Sequence, residues 1–175
     1  MDVIGACLMV STFTGTAGPA ARAEPDKTEN SKKLDNYLLK RYPSAHNIRT
    51  DTQLYDYTQQ LKQRYMKKAS PLRKVYFDAK VSVEHHALGL NAHITRAHGG
   101  KLKANHEIRI DPCFKNSPEE FLRMIVAHEL AHLKERQHNK AFYQLCCHIE
   151  PDYFQLELDL RLLLTWQEHN QKNLY

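Results

Sequence analysis

The feature that most constrains this chain is an apolar helical pattern that carries His-Glu-Leu-Ala-His at residues 128–132. Ser117, Pro118 and Glu120 precede it as a helix start, with the serine as N-cap, the proline at the first helical position and the glutamate completing a capping box. The predicted helix runs to about Arg136 and is apolar around most of its circumference. Such a helix must be covered by other elements, so we expect it at the centre of the fold.

Short runs typical of β-strands lie between residues 74 and 114, separated by turn residues. They are Val75–Phe77, Val81–Val83, His93–Thr95 and Glu107–Ile110. Gly99-Gly100 supplies the most flexible turn in this region. The pattern predicts a small, mainly antiparallel sheet of three or four strands.

Helices are predicted on both sides of this sheet. A short helix over Ser31–Arg41 comes first, and the Thr50–Gln53 capping box begins a second. After the central helix, one helix is expected from Asn139 and another from Tyr153 to about Glu168, with Pro151 between them. The sequence therefore predicts an α+β fold in which a small sheet packs on the central helix and helices flank it.

A chain of 175 residues with 42% hydrophobic residues is about one domain long. We expect that domain over residues 31–175, and a tail over residues 1–30, which have no sustained period. The apolar run Val3–Val10 and Ala21-Arg22-Ala23 resemble a signal peptide incompletely, because Asp2 stands where a basic residue is usual. We therefore expect a cytoplasmic protein with no membrane-spanning segment, and export is the less favoured alternative.

Charge and cysteine content constrain the partners only weakly. The net charge of +5 permits an acidic partner, but the basic residues are scattered, so nucleic acid binding is permitted and not indicated. The four cysteines include the adjacent pair Cys146 and Cys147 and do not form a disulfide framework, which favours thiols in a reducing compartment. We expect no second metal site at these residues and His148, because no C-x-x-C pair accompanies them.

The chemistry of the chain is concentrated in the central helix. Residues four apart lie nearly above one another, so His128 and His132 can offer two ring nitrogens to one ion at about 2.0 to 2.1 Å. Glu129 is rotated by about 100° and lies beside the ion, where a base for zinc-bound water belongs. The sequence predicts one Zn²⁺, with Glu129 taking a proton from water and delivering it to a leaving group.

A catalytic zinc usually has three protein ligands and water, so a third ligand has to come from nearby. His138 is the favoured candidate, because one turn after the helix can bring it back toward the ion. Its spacing matches the metzincin pattern, but Glu135 stands where that pattern requires glycine. Glu150 and Asp152 are the alternatives, since a carboxylate from a following helix completes other zincin sites.

Other residues whose side chains could take part in catalysis are interpreted as surface, turn or core residues. The remaining histidines of the strand region are interpreted as surface or turn residues, namely His85, His86, His93, His98 and His106. Tyr143 and Tyr153 have hydroxyls that could donate to a developing oxyanion, although core packing is the favoured role for both.

The stretch FLRMIVAHELAHLKERQHNKAFYQLCCHIEPDY, residues 121–153, resembles the YgjP-like metallopeptidase family, which is related to SprT-like and WLM zinc proteases. The resemblance extends from Lys40–Pro43 through Ala87–Leu90 and Gly99–Lys103 to Leu164-Thr165. It implies a minimal zincin-like fold for a single YgjP-like domain. It also implies His128, His132 and His138 as metal ligands and Glu129 as catalytic acid/base.

Three functions are compatible with these residues. A zinc metallopeptidase acting on a peptide or protein is favoured, with a substrate strand added to the sheet edge. The first alternative is a UTP pyrophosphatase, a label that some members of the family carry, and a non-catalytic zinc-stabilised binding module is the second. Basic side chains could contact phosphate, but for each a solvated surface charge is the favoured interpretation: Lys101, Lys103, Arg109, Lys134, Arg136 and Lys140. The substrate-binding residues and the oligomeric state are not predicted.

Overall fold

The described part of the chain begins with helices, continues into a sheet and ends in helices. The computed structural model describes residues 27–81, 88–98 and 101–175. The helices are α1 (Lys27–Arg41), α2 (Asp51–Tyr65), α3 (Glu119–Ala131), α4 (Lys140–Ile149) and α5 (Tyr153–Asn170), and the strands are β1 (Leu72–Phe77), β2 (Gly89–His98) and β3 (Lys101–Ile110). The predicted α+β class is confirmed.

The sheet has the strand order β1-β3-β2, so β2 lies at one edge. β2 pairs antiparallel with β3 along its whole length, from Gly89 opposite Ile110 to His98 opposite Lys101. This long pairing agrees with the predicted, mainly antiparallel sheet. β1 instead runs parallel to β3, which the sequence did not predict because a strand pattern does not specify the direction of pairing.

Two local predictions in the strand region have different outcomes. The strand predicted over Val81–Val83 is wrong at Val81, which lies in a helical turn with its N–H donated to the Asp78 carbonyl at 3.2 Å. Residues 82 and 83 and the predicted Gly99-Gly100 turn lie outside the described residues. The turn after β1 uses the Asp78 carbonyl, which the run of apolar residues does not reveal.

Helix α3 forms the centre of the core, as predicted. Between Phe121 and Ala131 its side chains are buried except for Arg123, and it packs against α4, α5 and β2. Since the helix is covered on all these sides, His128 and Glu129 near its carboxyl end lie inside the protein.

Both predicted ends of this central helix need correction. Ser117 is not its N-cap, because the serine ends a preceding 3₁₀ helix and its hydroxyl donates to the Phe114 carbonyl at 3.0 Å. Pro118 precedes the first helical residue and makes no side-chain cap, so the capping box with Glu120 is absent. The helix also ends at Ala131 rather than near Arg136, since the hydrogen bonds of the next turn join residues three apart, as in a 3₁₀ helix.

The flanking helices follow the sequence more closely. Helix α1 begins at Lys27, four residues before the predicted start at Ser31, and ends at the predicted Arg41. The capping box of α2 is present, with Thr50 accepting from the Gln53 N–H and the Gln53 side chain accepting from the Thr50 N–H. Helices α4 and α5 are also confirmed. Among the helices that the structure describes, none is both long and apolar enough to cross a membrane.

Candidate functional site

Three histidines form a triangle at the carboxyl end of α3. The ring centroids of His128 and His132 are 4.9 Å apart, those of His128 and His138 4.9 Å, and those of His132 and His138 4.8 Å. One ring nitrogen from each lies within 4.8 Å of the others. In the described part of the chain this is the one group of three or more potential metal-binding side chains, and it contains the three ligands that the sequence predicted.

The early end of α3 explains how His138 reaches the other two histidines. After Ala131 the chain tightens, with the Leu133 N–H bonded to the Leu130 carbonyl at 3.0 Å and the Lys134 N–H to the Ala131 carbonyl at 3.0 Å. Asn139 then caps α4 by accepting from the Phe142 N–H at 2.9 Å. The helix end, the tight turn and this cap confine the loop so that His138 faces back toward α3.

Phe142 forms an apolar floor beneath the triangle. Its ring centroid is 4.8 Å from that of His128, 4.6 Å from that of His132 and 4.5 Å from that of His138. The side chain is fully buried, so all three imidazoles pack on one rigid surface. Sequence reasoning missed this role, although the predicted Asn139 cap places Phe142 in the first turn of α4 and gave a signal for it.

Two of the three imidazoles are oriented by a partner at Nδ1. His132 Nδ1 donates to the Glu135 carbonyl at 2.9 Å, and His128 Nδ1 lies 2.7 Å from the hydroxyl of Tyr153. Tyr153 is fully buried, which confirms core packing, but its hydroxyl also contacts the site. Burial raises the pKa of Tyr153, so the hydroxyl stays protonated. Burial and the adjacent His132 and His138 lower the pKa of His128 well below its usual range.

Glu129 follows His128 in the helix, and its side chain carries a buried carboxyl group that is only 2% exposed. Burial raises its pKa to about 8, and Oε2 has no hydrogen-bond partner among the described residues. The side chain lies against the backbone of Gly89 so closely that a Cβ at Gly89 would stand 2.9 Å from Glu129 Cδ and closer still to Oε1. Strand β2 therefore accommodates Glu129 only because residue 89 lacks a side chain.

The backbone of Glu129 is fixed by a second contact from the sheet. The Asn91 amide donates to the Glu129 carbonyl at 2.9 Å, and the Asn91 side-chain oxygen lies 2.9 Å from Nδ1 of His106 on β3. A carbonyl in the last turn of a helix lacks an intrahelical partner, and Asn91 supplies one. His106 is thus a buried link between strands rather than the surface or turn residue that the sequence predicted.

The other candidate ligands do not join the triangle. Glu150 is engaged by Arg123, whose Nε lies 2.8 Å from Glu150 Oε2. Asp152 is exposed, and its N–H donates to the Glu150 side chain at 3.2 Å. Neither belongs to the cluster of His128, His132 and His138. Among the histidines of the strand region, residues 85 and 86 and the side chains of residues 93 and 98 lie outside the described residues.

The chemistry of the triangle fits a zinc ion. Imidazole nitrogens are preferred zinc ligands, and metal-binding histidines usually bond a second group through their other ring nitrogen, as His128 and His132 do here. The Nε2 atoms of His128 and His138 are 3.1 Å apart, and two lone pairs that face each other at this distance repel unless a proton or a cation lies between them. A shared cation satisfies all three rings at once.

Comparisons with known proteins agree with this geometry. The family described as YgjP-like, metallopeptidase domain, matches residues 20–162. A curated relative, the UTP pyrophosphatase of Escherichia coli (strain K12), is 57% identical over 136 residues, which cover 78% of this chain and 81% of the relative. No solved structure gave a significant match.

Proposed function

Because this chain belongs to the YgjP-like metallopeptidase domain family, we propose that it is a metal-dependent hydrolase whose site is the histidine triangle with Glu129. The observation that carries the proposal is the cluster of three imidazoles together with the buried carboxyl group of Glu129, the residue next to His128, whose Oε2 has no hydrogen-bond partner among the described residues. A purely structural metal site needs the three histidines, but it has no use for a costly, unpaired carboxyl group beside them.

His128, His132 and His138 are the residues that would hold the ion, and zinc is the metal that the donor set favours. A bound zinc ion supplies Lewis-acid activation of water and of the substrate oxygen. The three neutral imidazoles leave the positive charge of such an ion uncompensated, which favours binding of an anionic substrate. The protein contributes a fixed donor triangle, because Phe142 supports the three rings from below.

Glu129 acts as the general base. Its Oε2 atom is available to accept a proton from the attacking water, and its position against Gly89 limits the directions in which the carboxyl group can turn. A carboxyl group whose pKa is raised by burial is better matched to proton transfer near neutral pH than an exposed one. The same oxygen then returns the proton to the leaving group.

We assign UTP, or another nucleoside triphosphate, as the first candidate substrate. The support comes from the relative named UTP pyrophosphatase, which is 57% identical over 78% of this chain and 81% of its own length. Lys134, Arg136 and Lys140 are exposed and follow the motif directly in the chain, where they could contact phosphate oxygens. Arg109 is instead paired with Asp78 at 3.6 Å on the sheet.

Peptide hydrolysis, which the sequence favoured, is the second candidate. The support for it is the metallopeptidase name of the family and the position of β2 at a sheet edge, next to the central helix. An extended peptide could add to that edge through backbone hydrogen bonds.

The decisive experiment compares two substrates on one preparation of the full chain with measured zinc content. Release of pyrophosphate from UTP and cleavage of an unfolded protein are followed for the wild type, for Glu129→Gln and for Glu120→Gln. We expect Glu129→Gln to keep its zinc and to lose about 100- to 10,000-fold in turnover, because the base is removed. Glu120→Gln is the matched control on the same helix, since this glutamate is exposed in the first turn of α3, and it keeps the activity.

The outcomes separate the candidate functions. Pyrophosphate release that depends on Glu129 identifies the nucleotide as substrate, and proteolysis with the same dependence identifies a peptidase. Turnover that persists in Glu129→Gln contradicts the assignment of the base. A zinc-loaded wild type that hydrolyses neither substrate favours the non-catalytic binding module.

A further inference from the structure

A buried tyrosine outside the histidine triangle contacts the most buried of the three histidines, and a buried cysteine follows that tyrosine. His128 presents Nε2 to His138, at 3.1 Å from His138 Nε2, and presents Nδ1 to the hydroxyl of Tyr153 at 2.7 Å. Tyr153 also interacts with Cys146 on α4. Burial raises the pKa of the Cys146 thiol, and a hydrogen bond from the Tyr153 side chain opposes that rise. Tyr153 and Cys146 are both fully buried, so water does not compete for these contacts.

The tautomer of His128 follows from this arrangement. A neutral imidazole carries one proton, and Nε2 can act as a ligand only if that proton is on Nδ1. Nδ1–H then donates to the oxygen of Tyr153. The proton of the tyrosine hydroxyl is consequently directed elsewhere, since the oxygen already accepts from the imidazole.

Cys146 offers the acceptor for that proton. A thiol sulfur accepts hydrogen bonds weakly, but in a site without water it is preferable to no acceptor at all. If Tyr153 instead donated to Nδ1, the imidazole proton would lie on Nε2 and point into the triangle, where it would block coordination. The direction of donation in the two hydrogen bonds, from His128 to Tyr153 and from Tyr153 to Cys146, therefore decides whether Nε2 can bind a metal.

We propose that Tyr153 is a positioning residue for the metal site and that Cys146, by accepting its hydroxyl proton, holds His128 in the tautomer that exposes the Nε2 lone pair. The inference rests on the proposed metal site, but it is independent of the substrate. It assigns a role in metal binding to a tyrosine and a cysteine that lie outside the histidine motif.

The test measures Zn²⁺ affinity of the full chain by competition with a chromophoric chelator, without substrate. Tyr153→Phe should weaken binding by about 10- to 100-fold, the usual effect of losing a partner of a ligating histidine. Cys146→Ala should weaken it by a smaller factor, and Cys146→Ser should restore it because a hydroxyl oxygen also accepts. Alanine and serine are close in size, so a packing role alone would not separate them.

Tyr57→Phe is the matched control. It also removes a buried tyrosine hydroxyl, on α2, and leaves the contacts of His128 intact. Circular dichroism and thermal unfolding of the metal-free chains report whether each variant folds. If Tyr153→Phe is poorly folded, the two variants Cys146→Ala and Cys146→Ser test the same series of hydrogen bonds.

Three results would overturn the inference. Wild-type Zn²⁺ affinity in a folded Tyr153→Phe refutes the role of the tyrosine, and equal affinities of Cys146→Ala and Cys146→Ser refute that of the thiol. A wild-type chain that binds no Zn²⁺ refutes the metal site itself and hence the proposed function. Loss of hydrolysis alone, with the affinity pattern intact, affects only the proposed function.

Discussion

Glu129 and Asp159 are both buried carboxyl groups, 2% and 0% exposed, but their surroundings differ completely. Asp159 on α5 accepts from the Tyr42 hydroxyl at 2.7 Å, from the Tyr37 hydroxyl at 3.1 Å and from the Gln155 amide at 2.9 Å. Glu129 packs against Gly89 and has an oxygen without a hydrogen-bond partner among the described residues. Asp159 is satisfied within the protein, whereas Glu129 is available for a partner that the described part of the fold does not provide.

This difference separates a structural carboxylate from one that we propose to be reactive. Burying a carboxyl group costs free energy, and Asp159 offsets that cost with hydrogen bonds that join α1 to α5. The residues that the structure describes offer no comparable hydrogen bond to the Oε2 atom of Glu129. Burial is common to both carboxyl groups and therefore does not identify a functional residue in this protein. The two groups are distinguished by the hydrogen bonds that they accept.

The largest effect on stability is expected from removing the satisfied carboxylate. Asp159→Ala leaves two tyrosine hydroxyls without their acceptor and should lower the free energy of unfolding by about 3 to 5 kcal/mol. Urea denaturation followed by circular dichroism measures the change. Asp152→Ala is the control near the start of the same helix, because this exposed side chain makes no capping hydrogen bond, and it should cost less than about 1 kcal/mol. Similar losses in both variants would contradict a structural role for Asp159.

The next effect concerns the space that Glu129 occupies. In Gly89→Ala the new methyl group would overlap the Glu129 carboxyl group, so the carboxyl group has to move. A displacement of about 1 Å can cost about 100-fold in turnover, and we expect a loss of that size with zinc still bound. Steady-state kinetics and metal analysis check both parts.

Ala92→Ser is the control for this substitution, since it also adds one atom to β2 but on the opposite face of the strand. Its activity should stay close to that of the wild type. Full activity of Gly89→Ala would show that Glu129 tolerates displacement and would weaken the contrast with Asp159.

The sequence predicted those parts of the site that depend on local chain geometry. His128 and His132 are one helical turn apart, and His138 needs only one further turn, so their meeting follows from spacing. Gly89 and Tyr153 come from elements distant in the chain, and their contacts with α3 depend on how those elements pack. No periodicity in the sequence specifies that packing.

The fold shows the same division between local and distant contacts. The capping box at Thr50 was predicted because all its atoms belong to four consecutive residues. Ser117 was predicted as the N-cap of the central helix, but it ends the preceding 3₁₀ helix. A serine between two helical segments can cap either of them, and the sequence does not say which. The parallel pairing of β1 with β3 depends on a crossover that brings distant strands together, and the strand patterns carry no information about it.

At acid pH the smallest effect is expected where the comparison is most direct, in the stability of Glu129→Gln. Burial raises the pKa of Glu129 from 4.5 to about 8 in the metal-free chain. Its stabilising contribution is therefore fully present below pH 4.5 and is lost as the pH rises through 8. Glutamine does not titrate, so near pH 5 the variant should differ from the wild type by less than about 1 kcal/mol. Toward pH 8 the metal-free wild type should lose stability relative to the variant.

Urea denaturation of both metal-free proteins at several pH values measures this difference. A wild type that gains stability relative to Glu129→Gln over that range would mean that the carboxylate has a partner, as Asp159 does.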